Sequence, residues 1–199
     1  MLFRSGTTNA KVVLVAEDGT LVASAARPLT TIRDGERVEQ DPAHVWDSVT
    51  DAIREVTTTA PAAAADVAHI GVDSQYSSTV PVDAHGDAVG PMVMWLDHRG
   101  TDHCFEIMLR DEGAFGLWID RHGIPTIGSG LSLGHLLHLQ HDRPDVHAHT
   151  RAWLEPMDYL TARCTGRITA SQHSTYMFQL CDNRTLGATG YDQIGRAHV

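Results

Sequence analysis

Apolar and polar positions fall into a clear pattern at the start of the chain. Val12-Val13-Leu14-Val15 is followed by Glu17-Asp18-Gly19-Thr20 and then by a second apolar run, Leu21-Val22-Ala23-Ser24. Two apolar runs around an acidic, glycine-containing turn predict a β-hairpin with strands over 11–16 and 20–26. After a polar stretch through Glu39-Gln40, Asp41-Pro42 reads as an N-cap and first helical residue. Val45, Trp46, Val49, Ala52, Ile53 and Val56 then recur three or four apart, which predicts an amphipathic helix ending near Thr57–Thr59. Ala60-Pro61-Ala62-Ala63-Ala64-Ala65 reads as a linker, since Pro61 interrupts any helix running into it. Val67–Val72 is expected to be a short buried strand. The order strand, strand, helix, strand predicts an α/β fold with a mixed sheet.

Further along, Thr79–Asp83 and Pro91–Trp95 read as short strands joined by the Ala84-His85-Gly86-Asp87 turn. Trp95–Arg99 would lead from the second strand into a helix over 98–111. Phe115–His122 reads as a helix stopped by Gly123 and Pro125, and Gly128-Ser129-Gly130 as a flexible loop. Ser132 is placed to cap a helix carrying Leu133, Leu136, Leu137 and Leu139 that ends before Pro144. Arg151–Leu154 is a candidate strand. Met157–Thr165 predicts a helix closed by Gly166. Ile168–Phe178 gives no clear period.

Charge and composition narrow the function classes. The net charge of −10 over 199 residues disfavours nucleic-acid and anionic-membrane partners. Cys104, Cys164 and Cys181 are odd in number and form no C-x-x-C, which fits a reducing compartment. No signal-peptide pattern and no bilayer-length apolar stretch is present, so the expectation is a cytoplasmic protein. The 13 histidines include His135, His138 and His141, with His147 and His149 beyond. Their spacing spreads the rings over a wide arc and no H-E-x-x-H occurs, so no metal site is expected.

Three stretches carry candidate chemistry. Gly6-Thr7-Thr8 precedes the hairpin; glycine admits close approach, and backbone N–H groups in such a turn can receive phosphate oxygens. An ordinary turn is the competing reading. Asp73–Ser78 forms a polar loop at the C-terminal end of a strand, where open α/β sheets bind ligands. Trp95, Asp97 and Arg99 would suit a polyhydroxyl ligand, the ring packing on C–H faces while Asp97 accepts and Arg99 donates hydrogen bonds. The alternative is a core tryptophan beside an ordinary helix start.

In sequence order, Gly6–Lys11, Val38–Pro42 with Trp46, Ile70–Gln75, Pro91–Arg99 and Pro156–Leu160 with Thr165-Gly166 resemble the N-terminal domain of FGGY-family carbohydrate kinases, the xylulokinase and glycerol-kinase group. The resemblance implies a ribonuclease-H-like, actin-like domain and phosphoryl transfer from ATP, assisted by Mg2+, to a sugar or polyol hydroxyl. It implies that Gly6, Thr7, Thr8 and Lys11 approach the ATP phosphates, and that Gln75, Tyr76, Ser77, Trp95, Asp97 and Arg99 face a small sugar such as a pentulose. A homodimer is a possibility for the full-length parent.

The sequence departs from the family pattern in four ways. Arg4 stands where the family carries an aspartate that orders magnesium and phosphate. The first strand looks clipped. Gln75-Tyr76-Ser77 matches neither the Gln-Met-His of xylulokinases nor the Arg-Glu of glycerol kinases. The family's catalytic aspartate and its C-terminal ATP domain lie beyond the chain, so no catalytic residue is assigned. Ile194–Val199 also matches an in-frame translation of a common sequencing adapter. The expectation is a sugar-binding domain over 1–193, a non-native tail over 194–199, and a fragment without turnover of its own. The alternative is a stand-alone sugar-binding or regulatory module.

Overall fold

The computed structural model describes residues 1–124, 130–182 and 184–185. The expectations for Pro125, for most of the Gly128–Gly130 loop and for the 194–199 tail therefore lie outside the described residues. The elements run β1 (Leu2–Ser5), β2 (Asn9–Val15), β3 (Leu21–Pro28), β4 (Thr31–Asp34), β5 (Arg37–Gln40), α1 (Pro42–Thr59), α2 (Pro61–Ala65), β6 (Gly71–Ser74), β7 (Val80–Val82), β8 (Met92–Val93), α3 (Thr101–Arg110), α4 (Ala114–His122), α5 (Ser132–Asp142), α6 (Pro144–His149), β9 (Ala152–Leu154), α7 (Pro156–Thr165) and α8 (Gln172–Thr175). A 3-10 turn follows at Tyr176–Phe178.

The hairpin forms as β2 and β3, antiparallel, with Val12 opposite Ala25. β1 adds antiparallel to β2, and β6 adds parallel to β1 with Leu2 opposite Gly71. The order β3-β2-β1-β6 is a mixed sheet, as the sequence order of elements implies. Helix α1 starts as expected: Asp41 caps it by accepting from the Ala43 N–H at 2.9 Å, with Pro42 in the first turn. Its buried stripe, Val45, Val49, Ala52 and Val56, packs on Phe3, Ala10, Val12, Leu14, Ala23 and Ala25 of the sheet. Each large aliphatic side chain so buried contributes about 1.5–3 kcal/mol.

Several expectations are corrected. Pro61 does end α1, but the alanines behind it form one helical turn, α2, rather than an irregular linker. The strand expected at Val67–Val72 lies at Gly71–Ser74, and Ile70 is 54% exposed. Pairing with β1 sets this register, since the Met1 carbonyl already accepts from Gly71 N–H and Leu2 pairs with Gly71. The strands expected at 79–83 and 91–95 do not form a simple hairpin. β7 pairs with β9, β8 pairs with β5, and only single bridges join the two arms. The connecting turn is instead closed on Asp83, whose carboxylate accepts from His85 and Asp87 N–H groups. The helix expected over 98–111 starts at Thr101. Ser132 is the first residue of α5 rather than its cap, which is Leu131.

A second core gathers Cys104, Ile107, Trp118, Leu133, Leu136, Leu137 and Phe178 from α3, α4, α5 and the 3-10 turn. The chain crosses between the two cores at the Trp95–Gly100 segment. Gly100 lies directly against the backbone of Gly134 in α5, where a Cβ would collide with the Gly134 carbonyl. Among the described residues no helix is long and apolar enough to cross a membrane.

Candidate functional site

Three segments meet at the C-terminal ends of β1, β6 and β8. The first is the Gly6–Thr8 connection between β1 and β2. Gly6 N–H donates to the Asn9 carbonyl at 3.0 Å, and the Thr8 carbonyl accepts from Leu29 N–H at 2.8 Å. The Thr7 carbonyl accepts from Gln40 Nε2 at 2.8 Å. Lys11 is exposed on β2 and pairs across the ladder with Arg4. Arg4 lies 3.5 Å from Asp73 on β6, with both side chains mostly in solvent.

The second segment begins at Gln75, which is 8% exposed. Its N–H donates to the Ser5 carbonyl at 2.7 Å. Its Nε2 donates to Gln40 Oε1 at 3.2 Å. One side chain, Gln40, therefore ties the Gly6–Thr8 turn to the loop after β6. Gln75 Oε1 is buried without a hydrogen-bond partner, as is Ser5 Oγ. Tyr76 stacks on His173 at 5.1 Å and donates its hydroxyl to the His173 carbonyl at 3.1 Å. Burial, with the Glu155 charge adding to it, pushes the phenol up to about 12. Ser77 has φ 59°, a left-handed conformation that a non-glycine residue adopts at a cost of roughly 1 kcal/mol. Its hydroxyl donates to the Gly130 carbonyl.

The third segment carries Trp95, Asp97 and Arg99, and their environments differ. Trp95 is 43% exposed, while Asp97 has no exposed surface. Asp97 Oδ2 accepts from Val38 N–H at 2.8 Å and from Arg99 Nη2 at 2.7 Å. Asp97 Oδ1 accepts from Arg99 N–H at 3.1 Å. Arg99 Nη2 also reaches Glu39 Oε1 at 2.6 Å, and Arg37 pairs with Glu39 Oε2 at 2.7 Å. Burial acts to raise the Asp97 pKa, but Arg99 and the two backbone N–H groups outweigh it, so the carboxyl stays below its usual range. The pair is a buried, charge-assisted clip that fixes the segment to β5. A concavity of about 350 Å³ opens beside it, lined by Arg37, Glu39, Gln40 and Arg143 among others. Neither the Gly6–Thr8 turn nor Trp95 lines that concavity.

Behind the second and third segments lies a buried polar cluster. Ser78 Oγ accepts from Trp95 N–H at 3.2 Å, and Ser78 N–H donates to Glu155 Oε2 at 3.2 Å. Ser132 donates its hydroxyl to Glu155 Oε1 at 2.7 Å. Burial pushes the Glu155 carboxyl up to about 8, although Ser132 and the backbone N–H groups pull against it. Thr79 Oγ1 and His135 Nδ1 are 3.2 Å apart, and burial lowers the His135 imidazole to about 4. The other helix histidines go elsewhere: His138 pairs with Asp142 at 2.7 Å, and His141 stacks on His103. No grouping of His, Cys, Asp and Glu suited to a metal occurs among the described residues.

The sequence assigns site roles to Gly6, Thr7, Thr8, Lys11, Gln75, Tyr76, Ser77, Trp95, Asp97 and Arg99, and the structure joins their segments through residues given no such role: Gln40, Glu39, Ser78 and Glu155. Glu155 carried one available signal. A carboxylate directly after Trp153-Leu154 and before Pro156 reads as a helix cap, yet its side chain makes no cap hydrogen bond.

The profile of the FGGY family of carbohydrate kinases, N-terminal domain, matches residues 2–182. A xylulose kinase of Streptomyces rubiginosus is 32% identical over 166 residues, which is 83% of this chain and 33% of that protein. A glycerol kinase of Corynebacterium glutamicum (strain R) is 31% identical over 121 residues, or 60% of this chain and 23% of that one. Among solved structures, the xylulose kinase from Rhodospirillum rubrum aligns with a TM-score of 0.80 at 26% identity, covering 90% of this chain and 37% of that chain. A ligand-bound xylulose kinase from Lactobacillus acidophilus aligns with a TM-score of 0.83 over 99% of this chain and 39% of that one; at 20% identity it speaks to the fold alone. The chain thus spans about a third of the first of these kinases. It belongs to the FGGY family of carbohydrate kinases, as an N-terminal domain of xylulokinase-like type.

Proposed function

We propose that this chain is the sugar-facing part of a kinase that transfers a phosphoryl group from ATP to a hydroxyl of a pentulose or related polyol, built on a ribonuclease-H-like, actin-like domain over 1–193. The observation that carries the reading is Gln40: it donates to the Thr7 carbonyl and accepts from Gln75, so a candidate phosphate turn and a candidate sugar loop share one support. Phosphoryl transfer depends mainly on positioning and charge neutralisation, and these segments serve both.

In this reading Gly6, Thr7 and Thr8 line the phosphate side, with Lys11 and its cross-strand neighbour Arg4 as cations. The half-exposed ring of Trp95 is the platform for the C–H face of the sugar. Gln75 and Ser77 shape the loop beside it, and Tyr76 closes its far end against His173. Asp97 and Arg99 act chiefly by holding Trp95 in place, since the Asp97 oxygens are taken by Val38 and Arg99. Magnesium does not fit at the end of β1: Arg4 brings a guanidinium where a hard cation needs oxygen ligands. The reading also takes the protein as cytoplasmic.

The test is titration calorimetry of the 199-residue chain with D-xylulose, D-ribulose and glycerol. Saturable binding of one of them, lost at least tenfold in Trp95→Ala without a change in melting temperature, supports the reading. Absence of binding to all three overturns it. No sugar-dependent ATP hydrolysis is expected from this chain alone. The Arg4–Asp73 pair favours a second reading, a non-catalytic sugar-binding module. Sugar binding that ATP neither strengthens nor weakens would favour that one.

A further inference from the structure

The buried Glu155 carboxyl serves neither as a helix cap nor in an ion pair. It has 2% exposure and sits at the junction of β9 and α7, with hydrogen bonds to two different segments. One goes to the backbone of Ser78 in the loop after β6, the other to the hydroxyl of Ser132 at the start of α5. Ser78 in turn accepts from the Trp95 N–H. The neighbouring Ser77, held in a left-handed conformation, donates to the Gly130 carbonyl just ahead of α5. Gly130 itself packs against the Trp95 carbonyl so closely that a Cβ there would clash. Ser78 and Ser132 have no exposed surface. Glu155 is therefore the point where the loop, the tryptophan segment and the helix are pinned together.

We propose that Glu155 is a positioning residue for sugar binding: through Ser78 and Ser132 it sets the Trp95 platform against the Ser77 loop. This deepens the reading of Trp95 as the sugar platform and rests on it. A neutral carboxyl accepts the Ser78 N–H on one oxygen and donates its O–H from the other to the Ser132 hydroxyl, which then accepts, without placing a charge in a site closed to water. The titratable groups facing it are Asp158 on α7 and Tyr76 on the loop after β6. Both are anionic when deprotonated, so neither favours an ionised Glu155. Burial, reinforced by Asp158, raises the carboxyl from an ordinary 4.5 to about 8. A raised folded-state pKa gives a stability contribution that is complete below the ordinary 4.5 and is lost progressively as pH rises from there through about 8. The folded chain itself keeps the proton up to about 8, so the hydrogen-bonded pinning persists at neutral pH and loosens in mild alkali.

Two measurements on the 199-residue chain test this. Sugar affinity is measured from pH 6.5 to 9.5 for the parent, Glu155→Gln and Glu155→Leu. The backbone amide signals of Ser78 and Trp95 are followed by NMR over the same range without sugar. The amide of Gln keeps an acceptor for Ser78 and offers a donor to Ser132, so Glu155→Gln is expected to bind like the parent at pH 7 and to lose the alkaline fall. Glu155→Leu is expected to bind about tenfold more weakly at every pH, the worth of roughly one buried hydrogen bond. In the parent, both amide signals should move together near pH 8, and should stay still in Glu155→Gln. Amides that do not titrate, or that titrate equally in Glu155→Gln, overturn the proposal. So does Leu binding as tightly as the parent. If no sugar binds at all, the functional reading fails, while the amide titration still decides whether Glu155 pins Trp95.

Discussion

Replacing Asp97 with asparagine separates a structural role from a ligand contact. The carboxylate is fully buried and accepts from Val38 N–H, Arg99 N–H and the Arg99 guanidinium. Asparagine removes the charge and turns one acceptor into a donor facing other donors. Breaking a buried ion pair by removing one partner costs about 3–5 kcal/mol. Arg99 keeps Glu39 and some solvent contact, which places this case near the lower end, at about 3 kcal/mol. For a chain of this size that is a fall in melting temperature of roughly 6–12 °C. Urea denaturation followed by far-UV circular dichroism measures it, with an unchanged m value marking a change in stability alone. The parent should also lose this contribution in acid. The Asp97 pKa is lowered in the fold, so its share is present above the ordinary carboxylate value and disappears as pH falls through the folded-state value. If Asp97→Asn is as stable as the parent and yet abolishes sugar binding, the clip is not structural and the carboxylate faces the ligand.

Two other outcomes follow from the packing. Gly100→Ala should destabilise by about 3 kcal/mol or more, because the added methyl meets the Gly134 backbone carbonyl, which cannot step aside within a helix; a thermal melt reads this directly, and an unchanged melt would mean the contact is looser than drawn. His135→Gln should flatten the acid limb of the stability curve: burial holds the imidazole at about 4 against an ordinary 6.5, so between those values the unfolded chain takes up a proton the native fold refuses. Stability then falls by about 1.4 kcal/mol per pH unit in the parent relative to the variant, measured from urea midpoints at pH 7 and pH 4.5.

What could be read from the sequence was local. The Asp41-Pro42 start of α1 is a contact between a side chain and its own helix, so neighbouring residues suffice to specify it. The β2–β3 hairpin and the Gly166 end of α7, at φ 69°, are equally local. Positions decided by distant partners were not legible. The register of β6 is set by β1, some seventy positions earlier. The arms around Asp83 choose β9 and β5 over each other. In the site, motif order brought out Trp95, Asp97 and Arg99 together, but nothing in the order distinguishes the exposed ring from the buried carboxylate. That difference depends on Val38 and Glu39, which reach the segment from another strand. Glu155 was hidden for the same reason: its partners come from 78 and 132.

The contact between Gly100 and Gly134 has a mechanical consequence. Two backbones touching without side chains between them leave no compliant layer to absorb a shift. Any force that tilts the indole of Trp95 is therefore transmitted through the 97–100 clip into the first turn of α5. The 97–100 segment and α5 are thus coupled as one stiff unit that runs from Trp95 to Asp142.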